Sequence, residues 1–224
     1  MTLALPSHPQ GSRIGLLGGS FNPPHDAHRA ASLLALKRLR LDKVWWLVTP
    51  GNPLKDNGSL PPLSDRLEQA RAMAHHPALI PTGLEAGLGT RYSYDTVAAL
   101  VRRFPQVHFV WLMGADNLAG FHRWQRWRDI ANLVPMAIID RPGCTFAAMG
   151  SPAAGALARW RCHESQAGRL ATMTPPAWIF LHGLKSPLSS TQLRAKAASK
   201  AALLGPNASQ HVATVEKGAV SALS

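Results

Sequence analysis

Two histidines three residues apart, His25 and His28, follow the run Ile14-Gly15-Leu16-Leu17-Gly18-Gly19-Ser20-Phe21-Asn22-Pro23-Pro24 and open an Ala/Leu-rich segment. Alone, such a pair reads as two surface histidines near a helix start. A zinc reading needs i,i+4 spacing and a third ligand, and fails here. The preceding residues change the reading. A short apolar strand that breaks at Gly18-Gly19 and feeds a helix leaves unpaired backbone N–H groups at the helix start, where the dipole also favours an anion. At i and i+3 the two imidazoles share one face of the first turn and add side-chain donors to the same phosphate. That points to chemistry on a nucleoside triphosphate.

A second cluster lies near the other end of the chain. Ser189, Ser190 and Thr191 precede a helical pattern, with Arg194 one turn further in. By itself this is a plain helix cap. Paired with the histidine element, three hydroxyls and a guanidinium form a grip for phosphate oxygens.

The elements that must position these groups alternate. Strands are expected at 13–18, 44–48, 78–82, 107–113, 135–140 and 178–182, from short apolar runs bounded by Gly and Pro. Helices are expected at 26–39, after Ser64 as N-cap, from Ser93 or Asp95 to Arg103, and at 190–202, with a helix or a helical turn across 121–130. The stretch 144–175 is weakly patterned, with a short helix at 157–161. Strands alternating with helices imply an α/β fold, a Rossmann-like, doubly wound parallel sheet in a single domain with a small C-terminal helical part. Ligands in such sheets sit beyond the carboxyl ends of the strands. The expected organisation is a lead-in over 1–12, a domain over 13–204 and a disordered tail over 205–224.

Composition narrows the class. A chain of 224 residues, 46% hydrophobic and 16% charged, builds one α/β domain with a true core. No run reaches the roughly 18–20 apolar residues of a membrane span, and the N-terminus lacks a signal-peptide pattern. Cys144 and Cys162 have no metal-ligand spacing, so a cytoplasmic setting is expected. The net charge of +12 suits either nucleic acid or small polyanions. Its scatter along the chain argues against a nucleic-acid partner. Nothing in the sequence marks an oligomeric state.

The run Gly18 to His28 resembles the signature of the nucleotidylyltransferase superfamily, with Ala27 where the superfamily usually has glycine. Leu188 to Arg194 resembles its second signature, (I/L)-S-S-T-x-x-R. Four further segments resemble the bacterial nicotinate mononucleotide adenylyltransferases: Pro50 to Lys55, Tyr92 to Thr96 (Ser93 replacing the usual Thr), Gly114-Ala115-Asp116-Asn117 with Phe121 and Trp124, and Arg141-Pro142-Gly143. The resemblance covers 13–143 and 178–204.

It implies transfer of an adenylyl group from ATP to nicotinate mononucleotide, with Mg2+ carried mainly by the ATP phosphates. His25, His28 and Arg194 would be the catalytic groups. Gly18, Gly19, Ser20, Phe21, Gly114, Asp116, Arg141, Ser189, Ser190 and Thr191 would complete the ATP site. Asn52, Lys55, Ser93 and Trp124 would surround the mononucleotide. Each has a plainer reading: Trp124 as core, Asp116 as a helix cap, Arg141 as a turn residue, Lys55 as a loop lysine. His75 and His76 read as a surface pair without function. The rivals are a pantetheine-phosphate adenylyltransferase or cytidylyltransferase, and a basic nucleic-acid-binding protein on a nucleotide fold.

Overall fold

The computed structural model describes residues 6–51, 58 and 60–183. Six strands form one sheet in the order β3-β2-β1-β4-β5-β6: β1 (Arg13–Gly19), β2 (Lys43–Val48), β3 (Leu79–Thr82), β4 (His108–Gly114), β5 (Met136–Ile139) and β6 (Trp178–Leu181). Every neighbouring pair is parallel. Parallel neighbours need a crossover, and helices supply it. The chain leaves β1 through α1 (Asp26–Leu39) and reaches β3 through α2 (Leu63–Ala74). It then returns to β4 through α3 (Leu84–Leu88) and α4 (Ser93–Arg103). The sheet therefore grows outward in both directions from the β1/β4 pair, which is the switch point of a 3-2-1-4-5-6 strand order.

Because side chains alternate along a strand, consecutive residues feed opposite faces. Leu16, Trp45 and Trp111 join one core, covered by α3 and α4 and then by α5 (Ala115–Gly120), α6 (Trp127–Leu133), α7 (Thr145–Met149) and α8 (Pro152–Ala156). Leu17, Trp46 and Leu112 join the other, under α1, α2 and a 3-10 segment over Glu164–Thr172. With both faces covered, the strands read as continuous apolar runs. Trp45, Trp46, Trp111 and Trp178 are all fully buried, and truncating any of them to Ala costs about 3–5 kcal/mol. Among the described residues no helix is long and apolar enough to cross a membrane.

Several expectations need correction. Ser64 does not cap α2. Pro62 holds that position, and the Ser64 hydroxyl turns to Asp65 Oδ1 at 2.8 Å. Over 121–130, where a helix or a helical turn is expected, the chain holds one of each. A 3-10 turn over Phe121–Arg123 ends at Trp124 in extended backbone, and Arg126, with φ of 54°, separates it from α6. Residues 144–175 hold α7, α8 and two 3-10 segments, at Ala158–Trp160 and Glu164–Thr172. Their small residues let short elements pack closely without a long periodic face. The expected helix at 190–202 and the tail over 205–224 lie outside the described residues.

Candidate active site

The carboxyl ends of β1, β4 and β5 converge on the switch point, and His25, His28, Asp116 and Arg141 meet there. His25 is the N-cap of α1 in extended backbone, and His28 is its third helical residue. The two rings lie 3.8 Å apart between centroids. The His28 Nδ1 accepts the His25 backbone N–H at 3.3 Å, while the buried His25 Nδ1 has no partner among the described residues. The first turn is fixed from below: the Ser32 hydroxyl donates to the His28 carbonyl at 2.8 Å and accepts the Trp46 indole N–H at 2.8 Å.

Burial pushes the His25 pKa down to about 4, and the positive charge of Arg141 adds to the effect; Asp26 and Asp116 oppose it. His28 is held well below its ordinary value by burial, then by His25 and Arg141. Both shifts favour the uncharged ring, in which one nitrogen carries N–H and the other accepts.

Phe21 fixes the wall beside them. Its backbone takes φ of 46°, a conformation that costs a bulky residue energy and persists only where packing enforces it. Its ring stacks on Trp46 at 5.0 Å and leans on His28 at 4.7 Å. The two glycines before it serve opposite sides. A Cβ on Gly18 would come within 3.0 Å of the Trp111 ring, whereas one on Gly19 would meet the Phe21 ring at 3.4 Å.

Gly114 ends β4 and caps α5. A Cβ there would collide with Asp116 Oδ1 and stand 3.0 Å from Arg141 Nε, so glycine is what lets these two side chains close over the strand end. Their own separation is 3.5 Å, and Asp116 is half-exposed, so the pair orients more than it stabilises. Arg141 is aimed by its turn. Asp140 Oδ1 accepts both the Arg141 N–H and the Thr145 hydroxyl, and Gly143 takes φ of 80°.

Trp124 and Ser93 belong to the other sheet face. Trp124 is half-buried, edge-on to Trp111 at 6.3 Å and to Phe121 at 5.4 Å. It is thus both a core contact and a partly exposed ring near Gly18. Ser93 is the first residue of α4. That end of α4 is held by a buried chain in which Thr96 donates to Glu85 at 3.3 Å and shares a 2.8 Å hydrogen bond with Thr90. Burial raises the Glu85 pKa. The histidines stand on the α1 face and Trp124 and Ser93 on the α4 face, so the strand ends separate two half-sites. Ala27 is fully buried. Asn52, Lys55, Ser189, Ser190, Thr191 and Arg194 lie outside the described residues. His75 and His76 are exposed, as expected.

Residues 16–196 match the model of the cytidylyltransferase-like family. A Bradyrhizobium sp. (strain BTAi1) protein named "Probable nicotinate-nucleotide adenylyltransferase" is 62% identical over 182 residues, covering 81% of this chain and 95% of that one. One of the same name from Methylorubrum extorquens is 58% identical over 184 residues, 82% of this chain and all of that one. The chain belongs to the nicotinate-nucleotide adenylyltransferase family. The enzyme is accordingly a nucleotidyltransferase, as its two phosphate signatures led one to expect. Its fold also resembles that of Plasmodium falciparum nicotinic acid mononucleotide adenylyltransferase complexed with NaAD, with a TM-score of 0.59 at 16% identity over 82% of this chain and 83% of that one.

One residue around the site gave no signal in the sequence. Arg66, on α2, is fully buried beside the loops that follow β1 and β2. Nothing in its neighbours distinguishes it from the other arginines of the chain, because its partners are all backbone carbonyls.

Proposed function

We propose that the enzyme joins nicotinate mononucleotide to ATP, forming nicotinate adenine dinucleotide and pyrophosphate. The observation that carries the reading is the close imidazole pair at the start of α1, set against Arg141 and Asp116 at the ends of the neighbouring strands. A triphosphate laid on the start of α1 meets backbone N–H groups, the helix dipole and two ring N–H donors. Arg141 and Asp116 suit the adenosine, the guanidinium by stacking and the carboxylate by accepting ribose hydroxyls. Trp124 would offer a flat face to the pyridine ring, with Ser93, the first residue of α4, as a further mononucleotide contact. Ser189, Ser190, Thr191 and Arg194 would hold the outer phosphates, and Asn52 and Lys55 the mononucleotide.

The mononucleotide 5′-phosphate is already a nucleophile at pH 7, so the reaction needs no general base and no covalent intermediate. It attacks the α-phosphorus in line while pyrophosphate departs on the far side. Alignment of the two half-sites across Gly18 and Gly19 supplies the approach. The imidazole donors stabilise charge as it moves toward the leaving group. The carboxylates that influence His25 are Asp26 and Asp116. Among the described residues no cluster of three or more His, Cys, Asp or Glu could cage a metal. Mg2+ would enter on the triphosphate and would neutralise phosphate charge there, with Asp116 the carboxylate at the mouth of the site. We place the reaction in the cytoplasm, in line with two cysteines that form no disulfide framework.

The test is pyrophosphate release with ATP and, separately, nicotinate mononucleotide, nicotinamide mononucleotide and phosphopantetheine. Release with the nicotinate substrate at the highest kcat/KM supports the reading. A preference for phosphopantetheine, or for CTP over ATP, overturns it.

A further inference from the structure

Arg66 is a buried cation with no carboxylate within ion-pair distance among the described residues. Its guanidinium spends its donors on backbone. Nε donates to the Pro61 carbonyl at 2.9 Å, and Nη2 to the Pro50 carbonyl at 3.2 Å. Nη1 bridges two strand ends, donating to the Ser20 carbonyl at 2.8 Å and the Thr49 carbonyl at 2.7 Å. A desolvated charge is costly unless each donor finds an acceptor. An apolar side chain would anchor α2 to the sheet but take the donor from these four carbonyls, so the arginine serves to join the backbone segments that carry them.

Its carbonyl partners include the segments that shape the site. Ser20 directly precedes Phe21, whose left-handed backbone sets the ring against His28. Thr49 and Pro50 lead into the loop of Asn52 and Lys55, and the Thr49 N–H continues the β1/β2 ladder to the Gly19 carbonyl at 3.0 Å. We infer that Arg66 is a positioning residue that ties the backbone after β1 to the backbone after β2, so that the phosphate-binding wall of Phe21 and His28 is held in one geometry. The planar fork matters. A lysine ammonium donates from a single point and cannot span acceptors set around a guanidinium plane.

The inference rests on the adenylyl-transfer reading, which the wild-type pyrophosphate assay tests separately. Arg66→Lys and Arg66→Ala are compared with wild type by thermal melting and by kcat and KM for each substrate, per folded molecule. The expected result is a cooperative melt for Arg66→Lys, with kcat down at least about tenfold and KM for ATP raised several-fold. Millimolar guanidinium, but not equimolar sodium chloride, should restore part of kcat to Arg66→Ala. Wild-type kcat and KM in folded Arg66→Lys would overturn the inference, since a merely structural arginine changes only the folded fraction. If neither variant folds, NMR of the wild-type Arg66 guanidinium protons decides. A shift on adding a non-hydrolysable ATP analogue with the mononucleotide supports the lock, and unchanged resonances reject it.

Discussion

The His28 Nδ1 accepts the backbone N–H of His25 at 3.3 Å, and this fixes which ring nitrogen is left for a ligand. An acceptor Nδ1 places the proton of the neutral ring on Nε2. The helix cap thus sets the tautomer, and Nε2–H becomes the available donor. His28→Ala should lower kcat at least about a hundredfold, a loss of roughly 3 kcal/mol from the transition state, with the fold retained by circular dichroism. Near-normal pyrophosphate release by this variant removes the ring from the mechanism.

His25 ties stability to pH. Its folded pKa of about 4 lies below the ordinary value of 6.5, so between those values the unfolded chain binds more protons than the folded one. Stability is then greatest above about pH 6.5 and is lost as pH falls toward 4, by up to about 3 kcal/mol. Denaturant midpoints measured from pH 7.5 to 4.5 should fall for wild type. His25→Asn should make the fall shallower, His28 carrying a remainder of the same sign because burial lowers its pKa too, and an equally steep fall would assign the dependence elsewhere.

Gly114 and Gly15 separate site from scaffold. Gly114 has an ordinary φ of −72°, so Gly114→Ala adds no backbone strain and acts by displacing Asp116 and Arg141. KM for ATP should rise about tenfold, or about 1.4 kcal/mol, with Tm nearly unchanged. At Gly15 the added Cβ meets Leu112 at 2.7 Å and Leu41 at 2.9 Å. Gly15→Ala should therefore cost about 1–3 kcal/mol of stability and leave KM alone. Titrating ATP against both variants, alongside melts, checks the contrast.

Trp124 contacts the core through Trp111 and Phe121 and remains partly exposed. Trp124→Ala should raise KM for the mononucleotide several-fold more than KM for ATP. Equal effects on both would make the ring structural.

Much of this is legible in the chain because its signals are local. A 3.6-residue apolar period, Gly18-Gly19 at a strand end and histidines at a helix start are read within a dozen residues. They locate α1 and all six strands within a residue or two. Helix starts that depend on competing caps are harder to read, as Ser64 and Pro62 show. Over 121–130 spacing leaves a helix and a helical turn both open, and the left-handed backbone of Arg126 divides the segment into a 3-10 turn and the start of α6.

Residue type and short-range spacing were enough to specify the phosphate signatures, the alternating elements and the family. Folding had to supply the rest. It sets the ends of β1, β4 and β5 side by side, which brings Arg141 and Asp116 to histidines that lie far from them along the chain. It also lowers the pKa of His25 and of His28, because burial and the charge of Arg141 are properties of the assembled site. The same holds for Arg66. A guanidinium that grips only backbone carbonyls leaves no complementary residue in the chain to reveal it, and its partners exist only once two loops have folded beside one helix.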